Sequence, residues 1–279
     1  MSLVTLKDVL QPALNSGYAV AGVVCLGWED TRAFLAAAEL ERAPIILQAG
    51  PGAREHTPLP ILAKMFRHLA DNASVPVVAH LDHGYSMEEC RQAIAEGFTS
   101  VMFDGSKKSL HQNIDETSAI VDIAHQAGIS CEGEIGFVGY AGGAASAGTD
   151  PDEAAQFAKA TGVDAMAISV GNVHLQQNKE GKLDEARISA IAAVNHVPLV
   201  IHGGSGVPVN QRLALATGSH ICKFNIGTEL RMAFGAALRR AVERDPNRFD
   251  RIAILKDTHD PVMETARLVL RGLGSSGRV

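Results

Sequence analysis

Apolar and β-branched residues in this chain gather in short runs separated by longer mixed segments. The runs are AVAGVVCL, PIILQ, PVVAHLD, SVMFDG, ISCEGEIG, DAMAISVG, PLVIHGG and HICKFNIG, eight in all. Between one run and the next, apolar residues fall at helical spacing. A strand that is apolar on both faces belongs in a parallel sheet covered on both sides, and eight strand–helix units close most economically on themselves. The predicted fold is therefore α/β, a (β/α)8 TIM barrel forming a single domain over residues 1–279, with a doubly wound open sheet as the alternative.

The connecting helices carry explicit start and stop signals. In TDPDEAAQFAKATG, Asp150 is placed as N-cap, Pro151 at the first helical position, and Asp152 and Glu153 against the helix dipole. Gly162 ends the helix, and Ala154, Phe157, Ala158 and Thr161 share the face that should rest on the barrel wall. The same logic predicts a helix from Thr31 to Leu40. The stretch Gly136 to Gly148 breaks the rhythm: it is rich in Gly and Ala, has no apolar period, and is predicted to be a mobile loop of the kind that covers active sites.

Composition narrows the function. The formal charge of −6 comes from acids and bases spread along the chain, with no basic run to follow a phosphate backbone, so nucleic acid is excluded as a partner. No apolar run approaches the roughly 20 residues needed to span a bilayer. Cys25, Cys90, Cys131 and Cys222 lie far apart with no CxxC pair, which points to reduced, buried thiols and a cytoplasmic protein.

Barrel enzymes put their chemistry where strands end. Here the third strand closes in His80-Leu81-Asp82-His83, the fourth in Asp104-Gly105-Ser106, the fifth in Glu132-Gly133-Glu134 and the sixth in Gly171-Asn172-Val173-His174. The seventh closes in His202-Gly203-Gly204-Ser205-Gly206 and the eighth in Asn225-Ile226-Gly227-Thr228. Histidines 83, 174 and 202, delivered from three strand ends, can converge on one metal ion and leave a coordination position open. His80 precedes its strand end and either supports that site or joins it. Asp82, beside a ligand, is placed for proton transfer or for capping the next helix near Ser86. Asp104 and Glu134 either hold a second cation, orient the first ligands, or pair as salt bridges. The turns HGGSG and NIGTE bring Gly203, Gly204, Ser205, Asn225, Ile226, Gly227 and Thr228 to the positions where barrels hold phosphate.

The segments HLDHG, MFDGS, CEGEIG, TDPDEAAQFAKATGVDA, VPLVIHGGSGVP and KFNIGTEL carry a resemblance. From about Leu14 to Arg231 the chain resembles the class II fructose-bisphosphate and tagatose-bisphosphate aldolases, and ILQAGPGAREH is more similar to the tagatose branch. The resemblance implies one Zn2+ per subunit on His83, His174 and His202, with Asp104 and Glu134 at a second position for a divalent or monovalent cation. It implies that Asp82 exchanges a proton with the hydroxyl next to the bond being cleaved. Gly203, Ser205, Asn225 and Thr228 would hold the phosphate of dihydroxyacetone phosphate, and the protein would be a homodimer or homotetramer. A Lewis acid on the carbonyl and hydroxyl oxygens stabilises the enediolate left by cleavage, so no lysine Schiff base is needed. Lys223, inside the eighth strand, is expected to orient or support.

Three positions depart from the family. Leu175 stands where the family has a glycine after its second zinc histidine, FVGYAGGAASAG lacks the family's acidic loop residue, and Cys25, Leu26 and Gly27 replace an asparagine near the end of the first strand. Tyr140 becomes either a substitute proton carrier or a packing aromatic of the loop. The expected function is a metal-dependent aldolase cleaving a phosphorylated ketose, a 1,6-bisphosphate of the tagatose or fructose series or a relative. The alternatives are a non-catalytic sugar-phosphate or metal binder and a metallohydrolase; the latter wants a His-x-His pair at the first strand and an acid on the eighth, and the chain has neither.

Overall fold

A computed structural model describes residues 2–279. Its strands are β1 (Val20–Val24), β2 (Ile45–Ala49), β3 (Val77–Gly84), β4 (Ser100–Phe103), β5 (Ser130–Ile135), β6 (Ala165–Ile168), β7 (Leu199–Ile201) and β8 (Ile221–Ile226). All pair in parallel in chain order, and β8 closes on β1, so the alternative of an open sheet is ruled out. Each strand falls on one of the eight runs. The helices are α1 (Leu6–Ser16), α2 (Trp28–Glu41), α3 (Pro51–His56), α4 (Leu59–Asp71), α5 (Met87–Glu96), α6 (Leu110–Gln126), α7 (Pro151–Thr161), α8 (Glu185–Val194), α9 (Val209–Gly218), α10 (Thr228–Arg244), α11 (Arg251–Lys256) and α12 (His259–Gly272).

The signals in α7 act as the sequence predicts: Asp150 accepts from the amides of Asp152 and Glu153, Gly162 turns out at φ 68°, and the four residues of the predicted face are buried. Helix α2 begins before Thr31 because the buried Asp30 carboxylate accepts from the amides of Leu26 and Gly27, both at 2.9 Å. The Gly136 to Gly148 stretch is more ordered by hydrogen bonding than its composition suggests. Phe137 and Ala147 exchange two backbone bonds of 2.8 Å, and the amide of His174 donates to Gly139 at 2.8 Å. Backbone pairing needs no apolar period, which is why the side-chain pattern was blind to it.

Alternation along each strand divides the core in two. Ile45 and Leu47 pack outward against the helices, whereas Ile46 points into the barrel with Val20, Val78 and Val200. Helix α1 closes the amino-terminal end of that interior with Leu6, Val9, Leu10 and Ala13, and its Lys7 amide donates to Ser130 Oγ at 3.0 Å. The inward positions then turn polar toward the other end: β3 runs Val78, His80, Asp82 and β5 runs Ser130, Glu132, Glu134.

Candidate active site

At the end of β3 the pairing with β4 shifts register between Leu81 and Gly84, and His83 takes φ 52°. An irregularity of this kind re-aims side chains. Asp82 and His83, which regular alternation would send to opposite faces, both line the cavity at the barrel mouth, a space of 250 Å³. The carbonyls freed by the irregularity are taken up by Arg54 of α3, which donates to Asp82 O and His83 O.

The ring of His83 meets those of His174 and His202 edge to face, the latter two are tilted to one another, and the centroids lie 4.6 to 5.6 Å apart. One nitrogen from each lies within 4.8 Å of the other two. His83 Nδ1 is bonded to Asp104 at 2.8 Å, which leaves its Nε2 for a cation. His202 Nε2 is bonded to Glu132 at 3.2 Å, which leaves Nδ1. His202 Nδ1, His174 Nε2 and Glu134 Oε2 are buried without hydrogen-bond partners. Two borderline imidazole nitrogens and a hard carboxylate oxygen left bare in one pocket fit a divalent metal, because orphaned polar atoms are otherwise costly in an interior. His83, Asp104 and Glu134 form a second group able to share an ion, and among the described residues these two groups are the candidates.

The electrostatics follow from the same packing. Burial pulls the pKa of His83 down, but the Asp82, Asp104 and Glu134 carboxylates outweigh it and lift the group to about 9. Burial, helped by the nearby charge of His83, lowers His174 to about 4 and holds His202 well below its usual range. Burial and the Asp104 charge raise Glu134 to about 8. Burial alone would raise Asp104 as well, but the bond from His83 Nδ1 keeps it well below the usual carboxylate range. A cation in this acidic, partly dehydrated pocket competes with protons for His83.

Asp82 does not cap a helix; Ser86 does that for α5. Instead Asp82 Oδ1 accepts from Gln48 Nε2 at 3.3 Å and from Asn225 Nδ2 at 3.2 Å. Both amides come close because residue 22 is glycine: a Cβ there would sit 2.7 Å from Gln48 Oε1 and 2.9 Å from Asn225 Oδ1. Across the mouth, Gly203 takes φ 67° in a place where a Cβ would collide with Val173 O. Ser205 Oγ accepts from the amides of Gly227 and Glu229, each at 3.3 Å, and so ties the turn after β7 to the start of α10. Gly203, Ser205, Asn225, Gly227 and Thr228 line the cavity, Gly204 lies buried behind them, and the buried Ile226 offers only its backbone.

The sequence model of the family described as fructose-bisphosphate aldolase class-II matches residues 4–278. The chain belongs to the class II fructose-bisphosphate aldolase family. The match extends well beyond the Leu14 to Arg231 span of the motif resemblance, and it makes the chain an aldehyde-lyase of the class II type. A fructose-bisphosphate aldolase of Geobacillus stearothermophilus is 38% identical over 286 residues, covering 100% of this chain and 99% of its own. One from Staphylococcus epidermidis is 36% identical over 288 residues with the same coverage. The crystal structure of the YdjI aldolase from Escherichia coli K12 matches with a TM-score of 0.87 at 31% identity, covering 99% of each chain. The fructose-bisphosphate aldolase of Campylobacter jejuni, at 21% identity and a TM-score of 0.85 over 99% of this chain and 96% of its own, shares the fold.

The positions expected to depart from the family lie in or beside the cavity. Leu175 holds φ 59°, a left-handed conformation that glycine adopts freely and that costs a leucine about 1–2 kcal/mol. Its side chain is half exposed in the cavity wall. Tyr140 stacks on His174 with ring centroids 4.9 Å apart, and burial together with the Asp104 and Glu134 charges raises its pKa, the wrong direction for a base. Leu26 lines a second cavity of 700 Å³ with Trp28, Phe34 and Phe234, and the two cavities meet at Val24 and Arg231.

Sequence reasoning missed three residues of the site. Gln48 closes the run PIILQ, so the rule that found Asp82 would have found it. Glu132 was seen as a strand end without a partner. Arg54 carries no local signal, because its task depends on where β3 ends in space. His80 has both ring nitrogens engaged, by Ser100 and Lys223.

Proposed function

We propose that the protein cleaves a phosphorylated ketose by a retro-aldol reaction into dihydroxyacetone phosphate and an aldehyde, using a zinc ion on His83, His174 and His202. The observation that carries this reading is the convergence of bare, buried nitrogens on a point beside Asp82. When bound, the ion supplies Lewis acidity to the carbonyl and hydroxyl oxygens of the ketose. Asp82, held by two amides, takes the proton from the hydroxyl next to the breaking bond and returns it in the synthetic direction. The turns carrying Gly203, Gly204, Ser205, Asn225, Ile226, Gly227 and Thr228 seat the phosphate by backbone amides, hydroxyls and the amino-terminal end of α10. Asp104 orients His83, and Asp104 and Glu134 together with His83 can take a second cation.

The substrate is a 1,6-bisphosphate of the tagatose or fructose series or a relative. The apolar wall at Leu26, in place of the family's asparagine, supports an aldehyde half altered from the family's usual one. A homodimer or homotetramer belongs to the proposal, supported by the exposed Phe249 and Ile252 around α11; sedimentation tests it. The functional test is cleavage across ketose mono- and bisphosphates with zinc present. Chelation should abolish release of dihydroxyacetone phosphate, and borohydride plus substrate should trap nothing; full activity after chelation would overturn the metal mechanism.

Leu175 and the uncharged loop favour a second reading, a sugar-phosphate binder without turnover. Proton–deuteron exchange at dihydroxyacetone phosphate separates the two, since a binder holds the ligand without exchange.

A further inference from the structure

Below the barrel mouth His80, Glu132, His202 and Lys223 lie side by side, all fully buried. Barrel interiors are commonly filled by branched apolar side chains. Removing an ammonium and a carboxylate from water costs several kcal/mol per ion, and their attraction offsets it only in good geometry. A charged pair kept in such a place points to a role beyond stability.

An ammonium only donates, and this fixes the direction of the bonds that Lys223 makes. Lys223 Nζ donates to Glu132 Oε2 at 2.5 Å and to His80 Nε2 at 3.4 Å. His80 therefore carries its proton on Nδ1 and donates it to Ser100 Oγ at 2.9 Å. The other oxygen of Glu132 faces His202 Nε2 at 3.2 Å. His202 is contested, because Glu134 Oε2 lies 3.4 Å from its Nδ1. A proton on Nδ1 would satisfy Glu134 and remove the nitrogen that faces His83 and His174. A proton on Nε2 satisfies Glu132 and leaves that nitrogen bare.

We propose that Lys223 is a positioning residue that, through Glu132, fixes His202 in the tautomer offering Nδ1 to a metal ion. By clamping Oε2, Lys223 keeps Oε1 of Glu132 on His202 Nε2. Second partners of this kind fix ring tautomer and orientation at metal sites generally. The inference rests on the reading of His83, His174 and His202 as metal ligands.

The test compares wild type, K223M and the charge-balanced double variant K223M/E132Q. Metal-free protein labelled with 15N-histidine reports the His202 tautomer by NMR, and competition with a chelator reports zinc affinity. Wild type should show one tautomer, protonated on Nε2. Both variants should show a mixture or the other tautomer, with zinc bound about 10–100-fold more weakly. If K223M fails to fold because Glu132 is left buried and unpaired, the double variant, which removes both charges, gives the answer. A merely structural lysine would shift the unfolding midpoint and leave tautomer and affinity unchanged, and that result overturns the proposal. The tautomer is read without metal or substrate, so failure of ketose-phosphate cleavage would sink the functional reading and leave this one standing. A wild type that binds no zinc would overturn both.

Discussion

Arg54 donates to the backbone carbonyls of Asp82 at 2.7 Å and His83 at 3.0 Å, and so a residue on α3 holds the irregular end of β3 in place. Those carbonyls leave the sheet ladder where the register shifts and need a partner in the interior. Substituting Arg54→Met keeps the stem and removes the donors. It should cost about 1–3 kcal/mol of stability. Because Asp82 and His83 would drift together, kcat should fall about 100-fold. Steady-state kinetics with metal content per subunit check this; a wild-type kcat would mean that the strand end holds its own shape.

Asp82 has a different signature. Asp82→Asn leaves the nitrogens of the histidines untouched, so zinc should remain stoichiometric while kcat drops about 10²- to 10⁴-fold. Loss of zinc along with activity would instead make Asp82 part of the metal site.

Leu175→Gly should be nearly neutral for stability. Release of the left-handed strain, about 1–2 kcal/mol, is offset by about 0.5–1 kcal/mol of extra chain entropy in the unfolded state. The half-exposed side chain buries little, but it stands in the cavity wall, so KM for a ketose phosphate should fall. Melting curves and KM on the same preparation test both halves; an unchanged KM would place the phosphate away from residue 175.

The strands were legible because burial on both faces leaves an unbroken apolar signature, and the ends of those runs exposed Asp82, His83, His174 and His202. What stayed hidden depends on geometry across the barrel. Arg54 needs the location of a strand end that is distant in sequence, and Lys223 needs Glu132 on the facing wall. Asn225 lines the cavity with the other phosphate candidates, and its side-chain amide also donates to Asp82, a contact set by a glycine on a third strand and therefore not legible in the sequence.

A further expectation concerns acid. Glu41 on α2 accepts from Arg267 and Arg271 of α12 and from Ser276. The bond from Arg271, opposed by burial and joined by those from Arg267 and Ser276, lowers its pKa from 4.5 to about 2. A group whose pKa is lower in the folded state stabilises above its unfolded value and loses that contribution as pH falls through the folded one. The stability gap between wild type and Glu41→Gln should therefore be full near neutrality and close between about pH 4.5 and pH 2. Urea midpoints across that range measure it; a gap independent of pH would assign the effect to packing.

Helix α1, seated under the barrel, makes the interior a vessel with one opening. The buried row of His80, Glu132 and Lys223 lies between that floor and the mouth where the site opens. Leu26 and Leu175 stand in the walls of the two cavities at the open end, apart from that floor.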